Sequence, residues 1–156
     1  MMSINCEFKK LASQPTLSIR LKTAAQDLPQ VFGKGYGEIA EYLGELQEEP
    51  DGPPFAIYYN MDMQNLDLEF GFPVSPNLKG RGGIHKSETP SGECASCFHV
   101  GPYSEVESAY NALFQWIKEN GYEATGVTYE VYLNDPDETP PDKLETQIFL
   151  LIKTAQ

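Results

Sequence analysis

Residues 55–60 read Phe-Ala-Ile-Tyr-Tyr-Asn, and residues 129–134 read Tyr-Glu-Val-Tyr-Leu-Asn. Each is a short apolar and aromatic run closed by an asparagine, the pattern of a strand entering a turn. A second pair follows them. Leu66-Asp67-Leu68-Glu69-Phe70 lies over Leu144-Glu145-Thr146-Gln147-Ile148. The offset grows from 74 residues between Phe55 and Tyr129 to 78 between Leu66 and Leu144, and a longer second loop takes up the difference. Two copies at so long a period do not make a solenoid. They point to one unit written twice.

Working outward, each copy has a strand and a helix before these two runs. In the first, residues 16–22 alternate, with Leu17, Ile19 and Leu21 on one side and Ser18 and Arg20 on the other. That is a half-buried strand. Asp27 reads as an N-cap with Pro29 in the first turn. Leu28, Val31, Phe32, Tyr36, Ile39, Ala40, Leu43 and Leu46 then recur at helical spacing, weakened by Gly33, Gly35 and Gly37. In the second copy, residues 94–100 read as a strand. Ser104 and Glu107 read as a capping box, and Val106, Ala109, Tyr110, Leu113, Trp116 and Ile117 as a helical stripe stopped by Gly121. Residues 75–92 hold Pro76, Gly80, Gly82, Gly83, Pro90 and Gly92 and read as the connection.

The expected fold is therefore α+β. Two β-α-β-β units, about residues 14–74 and 93–154 of a single domain spanning 1–156, would be related by a pseudo-two-fold axis. Their strands would merge into one largely antiparallel sheet. Two helices would cover one face, and the other would form a groove.

Composition bounds the function. The chain has 156 residues, 40% hydrophobic and 22% charged, which suits a folded core rather than disorder. Its net charge of −12 disfavours phosphate contacts, and so direct nucleic-acid binding or attachment to an anionic membrane. No apolar run approaches the roughly 20 residues of a spanning helix, and Met1 to Lys10 lacks the core of a signal peptide. Three cysteines do not make a disulfide framework, so a reducing cytoplasm is the default.

Several motifs carry the chemistry. His99-Val100-Gly101-Pro102-Tyr103 precedes the second helix, Glu130-Val131-Tyr132-Leu133-Asn134-Asp135-Pro136 follows it, and Leu144-Glu145-Thr146-Gln147-Ile148-Phe149 lies near the end. Leu66-Asp67-Leu68-Glu69, Phe72-Pro73-Val74 and Thr89-Pro90-Ser91-Gly92 accompany them. In this order and spacing the chain resembles the gyrase-inhibitor-like (GyrI-like), or AraC-type effector-binding, small-molecule-binding domains, and with them the multidrug-sensing domain of BmrR-type regulators. The resemblance covers about residues 5–154. It implies the duplicated fold, with a groove for an apolar, often cationic ligand lined by glutamates and aromatic rings. Some such domains sit behind a DNA-binding domain. Others stand alone, and some of those hydrolyse cyclopropane-containing compounds. This sequence shows no N-terminal helix-turn-helix pattern. It carries Gln147 where many members have an acid, and Leu151 where a proline is common.

By strand alternation, Glu145, Gln147 and Phe149 face away from Thr146, Ile148 and Leu150. If the latter lie under the helices, the former face the groove. The same reasoning sends Asp67, Glu69, Tyr58, Glu130 and Tyr132 there. Tyr103 either projects into the groove or packs at the helix entry. Tyr36 and Trp116 stand between core and ligand roles. Such a cleft suits a lipophilic cation, by charge pairing and by cation–π attraction of about 0.5–2 kcal/mol per ring. A desolvated carboxylate there, with Glu145 as the candidate, could equally serve as general acid or base.

Other signals are weaker. Cys94 and Cys97 point to opposite faces of a strand, so neither a zinc site with His85 and His99 nor a thioredoxin-type redox centre is expected. Gly33, Gly35 and Gly37 do not form the dinucleotide fingerprint. Lys79 to Gly83 reads as a loop, with anion cradling the alternative. No cofactor is expected. The leading expectation is a stand-alone small-molecule-binding protein, an effector sensor or sequestering domain. The alternatives are a hydrolase on the same scaffold and an acidic module docking on a protein partner.

Overall fold

Leu113 of the second helix is fully buried against Ala95, Cys97, Ile148 and Leu150 of the strands beneath it. This contact organises one of two compact units in the computed structural model, which describes residues 5–136 and 138–155. The units are Met1–Leu11 with Ser91–Gln156, and Ala12–Pro90. Their elements are α+β, and the strand pairings within each unit are antiparallel.

The unit holding the C-terminus contains β1 (Cys6–Leu11), β6 (Gly92–Val100), α2 (Glu107–Glu119), β7 (Tyr122–Tyr132) and β8 (Glu145–Thr154). Its strands run in the order β1-β6-β8-β7. One face packs on α2 through Ala109, Leu113 and Ile117, which recur at helical spacing as the sequence pattern requires. Full burial of Leu113 and of Ile117 contributes about 1.5–3 kcal/mol each. Trp116 packs against this core and stacks on Tyr122 at 6.1 Å, so it takes the packing role of its two readings.

The other unit contains β2 (Pro15–Thr23), α1 (Leu28–Glu45), β3 (Phe55–Tyr58), β4 (Leu66–Pro73) and β5 (His85–Glu88), in the order β3-β4-β2-β5. Its core joins Leu17, Ile39, Leu43, Val74 and Ile84. Gly35 lets α1 approach β4, because a Cβ there would sit 2.3 Å from ring carbons of Phe70. The Tyr36 ring packs against Phe32, Phe70 and Phe72 at 5.0–5.5 Å, and its hydroxyl donates to the Phe55 carbonyl.

Several elements differ from the sequence expectation. The connection at 75–92 contains a strand, β5, laid on β2. The polar residues His85, Lys86 and Glu88 conceal it, because an edge strand keeps one side in solvent. The same holds for β1, where Glu7, Lys9 and Lys10 mask the alternation of Cys6 and Phe8. β7 starts at Tyr122, well before the expected Tyr129, with a register shift between Ala124 and Thr128 where Gly126 takes a positive φ of 98°. Neither expected cap forms its hydrogen bond. Asp27 does stand at the N-cap of α1 with Pro29 in the first turn, but makes no side-chain bond there; Ser104 instead lies inside a 3₁₀ turn, Tyr103–Glu105, which leaves Val106 as the N-cap of α2. Asp137, in the longer second loop between the runs at 129–134 and 144–148, lies outside the described residues. Gly121 does end α2 with a left-handed φ of 80°.

Gly35 and Gly37 of α1 separate under mutation. Gly35→Ala should lower stability by about 1–3 kcal/mol through overpacking on Phe70. Gly37→Ala, which meets nothing within 4 Å, should be neutral or gain up to about 1 kcal/mol of helix propensity. Urea unfolding of both variants checks this. Equal effects would sink the close-approach account of Gly35.

Candidate functional site

β8 fixes the site, because it is hydrogen-bonded on both sides. On one side Thr146 lies opposite His99 of β6; on the other it lies opposite Tyr132 of β7. Directly opposed residues share a face, so His99, Thr146 and Tyr132 form one row. One step along, Ile148 lies opposite Glu130. Ile148 belongs to the core under α2, so the whole row and Glu130 face the helix.

α2 supplies the next group. The Tyr110 hydroxyl donates to Glu130 Oε2, and the Tyr132 hydroxyl donates to Oε1 at 2.7 Å. Each carboxylate oxygen therefore has its own phenol. The chain reaches α2 through Gly101, whose φ of 136° favours glycine, and then Pro102. His99 Nε2–H donates to the Pro102 carbonyl at 3.1 Å, which holds this turn. The turn presents Tyr103, whose ring meets that of Tyr132 edge-on at 5.6 Å.

The electrostatics follow from this packing. Burial raises the Glu130 carboxyl above the usual carboxylate range; the bonds from Tyr110 and Tyr132 and the field of His99 oppose the shift without cancelling it. The residue as a whole keeps some surface, while its carboxyl is enclosed by protein. Burial also raises Tyr103, with Glu130 and Asp135 adding to it. Beside them, the Thr146 hydroxyl is buried and has no hydrogen-bond partner among the described residues. A buried hydroxyl left unmet costs about 1–3 kcal/mol.

The structure thus divides the expected site residues. Glu130 and Tyr132 do not share the face of Glu145, Gln147 and Phe149, because Glu130 pairs with Ile148 rather than with Gln147 or Phe149. Tyr103 does join Glu130. On the opposite face Gln147 Nε2 donates to Ser96 Oγ, and Phe149 stacks on Tyr129 at 5.2 Å. Glu145 lies opposite Val100 at the start of β8. A shallow depression of about 230 Å³ on this side is lined by Gln147, Phe98 and the Glu7–Lys9 pair.

In the unit of residues 12–90, Tyr58 lies opposite Leu68 and so shares the face of Leu17, Ile19 and α1, not that of the acids. The neighbouring Tyr59 takes the acid face instead. Its hydroxyl donates to Glu69 Oε1 at 2.7 Å, and Glu69 is 6% exposed. Burial, then Glu69, raises the Tyr59 phenol strongly. Asp67 is held by Arg20 through bonds of 3.1 and 3.0 Å, which lower its carboxyl below the usual range. The Arg20 guanidinium also lies 4.1 Å above the Tyr59 ring. Asp67 is therefore already neutralised.

Tyr110 and Thr146 were missed as site residues. In the sequence Tyr110 falls in the apolar stripe and Thr146 on the helix-facing side, and the one signal that singles them out is polarity in otherwise apolar rows. In the sequence His99 reads as part of the motif before the second helix or as a metal ligand, and nothing there places it beside Glu130. Cys94 and Cys97 do lie on opposite faces, opposite Leu151 and Ile148 respectively.

The comparisons agree with this architecture. A family model described as the GyrI-like small molecule binding domain matches residues 4–153. The chain is similar to EcmrR in a cryo-EM complex with DNA, with a TM-score of 0.85 at 21% identity, covering 99% of this chain and 59% of that one. It spans well under two thirds of that relative's length. The crystal structure of the EcmrR C-terminal domain is covered completely, at a TM-score of 0.79 and 20% identity over 99% of this chain. SAV2435 bound to tetraphenylphosphonium aligns with a TM-score of 0.69 at 13% identity, covering 96% of this chain and 94% of that one. Comparison with curated proteins gives no match. Among the described residues no helix is long and apolar enough to cross a membrane.

Glu130 should make stability pH-dependent with a definite sign. Its folded value is raised, so it adds stability below the ordinary carboxylate range, and that contribution is lost as pH rises through the raised value. The Tm of the wild type relative to Glu130→Gln should therefore fall as pH rises above the ordinary carboxylate range and through the raised value. A constant difference would show that the carboxyl titrates as if in water.

Proposed function

The chain belongs to the GyrI-like small-molecule-binding domain family, and from that premise we propose that it binds lipophilic organic cations at Glu130, as an effector sensor or sequestering domain. The observation that carries this reading is the Glu130 carboxylate with a phenol on each oxygen, enclosed by aromatic rings.

The physics favours a large, weakly hydrated cation. An enclosed carboxylate has lost its own water, so a small ion that must shed a tight hydration shell gains little there. A quaternary phosphonium or ammonium gives up little hydration, meets the charge, and places its apolar groups against ring faces. The phenols hold the carboxylate in place before the ligand arrives, which lowers the ordering cost of binding. The unmet Thr146 hydroxyl offers one hydrogen bond to a ligand or an ordered water beside the charge. The net charge of −12 adds long-range attraction for cations and opposes direct contact with DNA. The tetraphenylphosphonium in the SAV2435 structure is a ligand of this chemistry on a similar fold.

Tetraphenylphosphonium is the probe for calorimetric titration. Glu130→Gln should weaken binding at least tenfold, about 1.4 kcal/mol or more, and Tyr132→Phe should weaken it less. Affinity should fall on acidification as Glu130 takes up its proton. Undiminished binding by Glu130→Gln would overturn the assignment. The hydrolase alternative is tested separately with a cyclopropane-containing electrophile, which mass spectrometry should recover intact if the domain only binds and with water added if it hydrolyses.

A further inference from the structure

Cys6 and Cys97 lie directly opposite each other in the β1–β6 ladder. Opposed residues of an antiparallel pair have Cα atoms about 4.5–5.5 Å apart, inside the roughly 4.4–6.8 Å that a disulfide spans. Both side chains face α2, where Cys97 belongs to the buried core and Cys6 packs against it. Each thiol acts on the other's proton affinity, Cys97 lowering that of Cys6 and Cys6 raising that of Cys97. Both are free. Cys94, the third cysteine, lies on the other face of β6, opposite Lys9, and cannot join them.

We infer that Cys6 and Cys97 form a reversible disulfide when the protein meets a hydroperoxide. Cys6 keeps partial exposure while Cys97 is 2% exposed, so oxidation starts at Cys6. The Cys6 thiolate attacks a peroxide oxygen, the O–O bond breaks, and a sulfenic acid forms as hydroxide leaves. The Cys97 sulfur then attacks the sulfenic sulfur. The S–S bond forms, the S–O bond breaks, and the oxygen departs as water with the Cys97 proton. The hydroxide takes up the proton first lost from Cys6. Two thiols and one hydrogen peroxide thus give one disulfide and two waters. Burial raises the Cys6 thiol and pushes Cys97 up to about 12, so the reaction is slow at neutral pH and speeds up as pH rises.

The consequence is topological. The bond closes a covalent ring from residue 6 to residue 97, which encloses the whole Ala12–Pro90 unit in sequence. Long closed loops constrain the unfolded chain strongly. β1 has a single strand neighbour, β6, so the bond also pins a strand otherwise held on one side. His99 lies two residues beyond Cys97 on the same face, so the clamp sits on the strand that carries the Glu130 row.

The test treats the full chain with hydrogen peroxide, blocks remaining thiols, and measures intact mass and linked peptides. Expected are a monomer lighter by two hydrogens, one blocked thiol in place of three, and a peptide joining Cys6 to Cys97, all reversed by dithiothreitol. Cys94→Ser should leave this unchanged, while Cys6→Ser abolishes it. Amide hydrogen exchange across Cys6–Leu11 should slow in the oxidised protein. Sulfinic or sulfonic acid on Cys6 without the linked peptide would overturn the inference, as would a link through Cys94 or between two chains.

Discussion

The register of β7 on β8 decides what this protein can do chemically. Because Glu130 lies opposite Ile148, the charge of its strand is turned toward α2 and into the packed side of the sheet. A slip of one residue would move Glu130 to the other face and bring Tyr129 and Val131 under the helix. The tyrosine of α2 would then lose its carboxylate. The register is protected by hydrophobic burial, since Ile148, Leu150 and Ile152 all sit in the core on the same side. A polar site is thus held in place by apolar neighbours.

Placing a carboxylate on that side carries an electrostatic penalty, and the surrounding residues show how it is limited. The two phenol donors compensate part of the lost hydration, His99 adds a favourable field, and the remainder appears as a raised proton affinity. The other acid cluster solves the same problem differently. Asp67 is paired with Arg20, and Glu69 is met by Tyr59. One acid cluster already contains its cation, while the other is arranged around a carboxylate that has phenols but no cationic side chain bonded to it among the described residues. This contrast favours Glu130 as the position that takes a cation from outside.

Most elements were legible because their apolar residues keep time. The stripes of α1 and α2 and the alternation of β2, β4 and β8 are signals of one-sided burial. β1 and β5 were not legible, because an edge strand displays charge where a central strand displays an apolar residue. The site was legible as a list of residue types but not as a constellation. Acids and tyrosines were expected to converge, yet counting alternation from each strand separately put Tyr58 in place of Tyr59 and Glu130 on the wrong face. Alternation within one strand gives relative sides only. The face that each side meets is a property of the pairing.

The sequence by itself determined the α+β composition, the order of most strands and helices, the acidic charge and the family resemblance, since these depend on local periodicity and on motifs in order. The tertiary structure decided which tyrosine meets which carboxylate, that Asp67 is held by Arg20, that Thr146 is left without a partner, and that Cys6 faces Cys97. The physical reason is that these facts are set by cross-strand register and helix docking. They join residues distant in the chain, and only the hydrogen-bonded ladders and the packed core fix them.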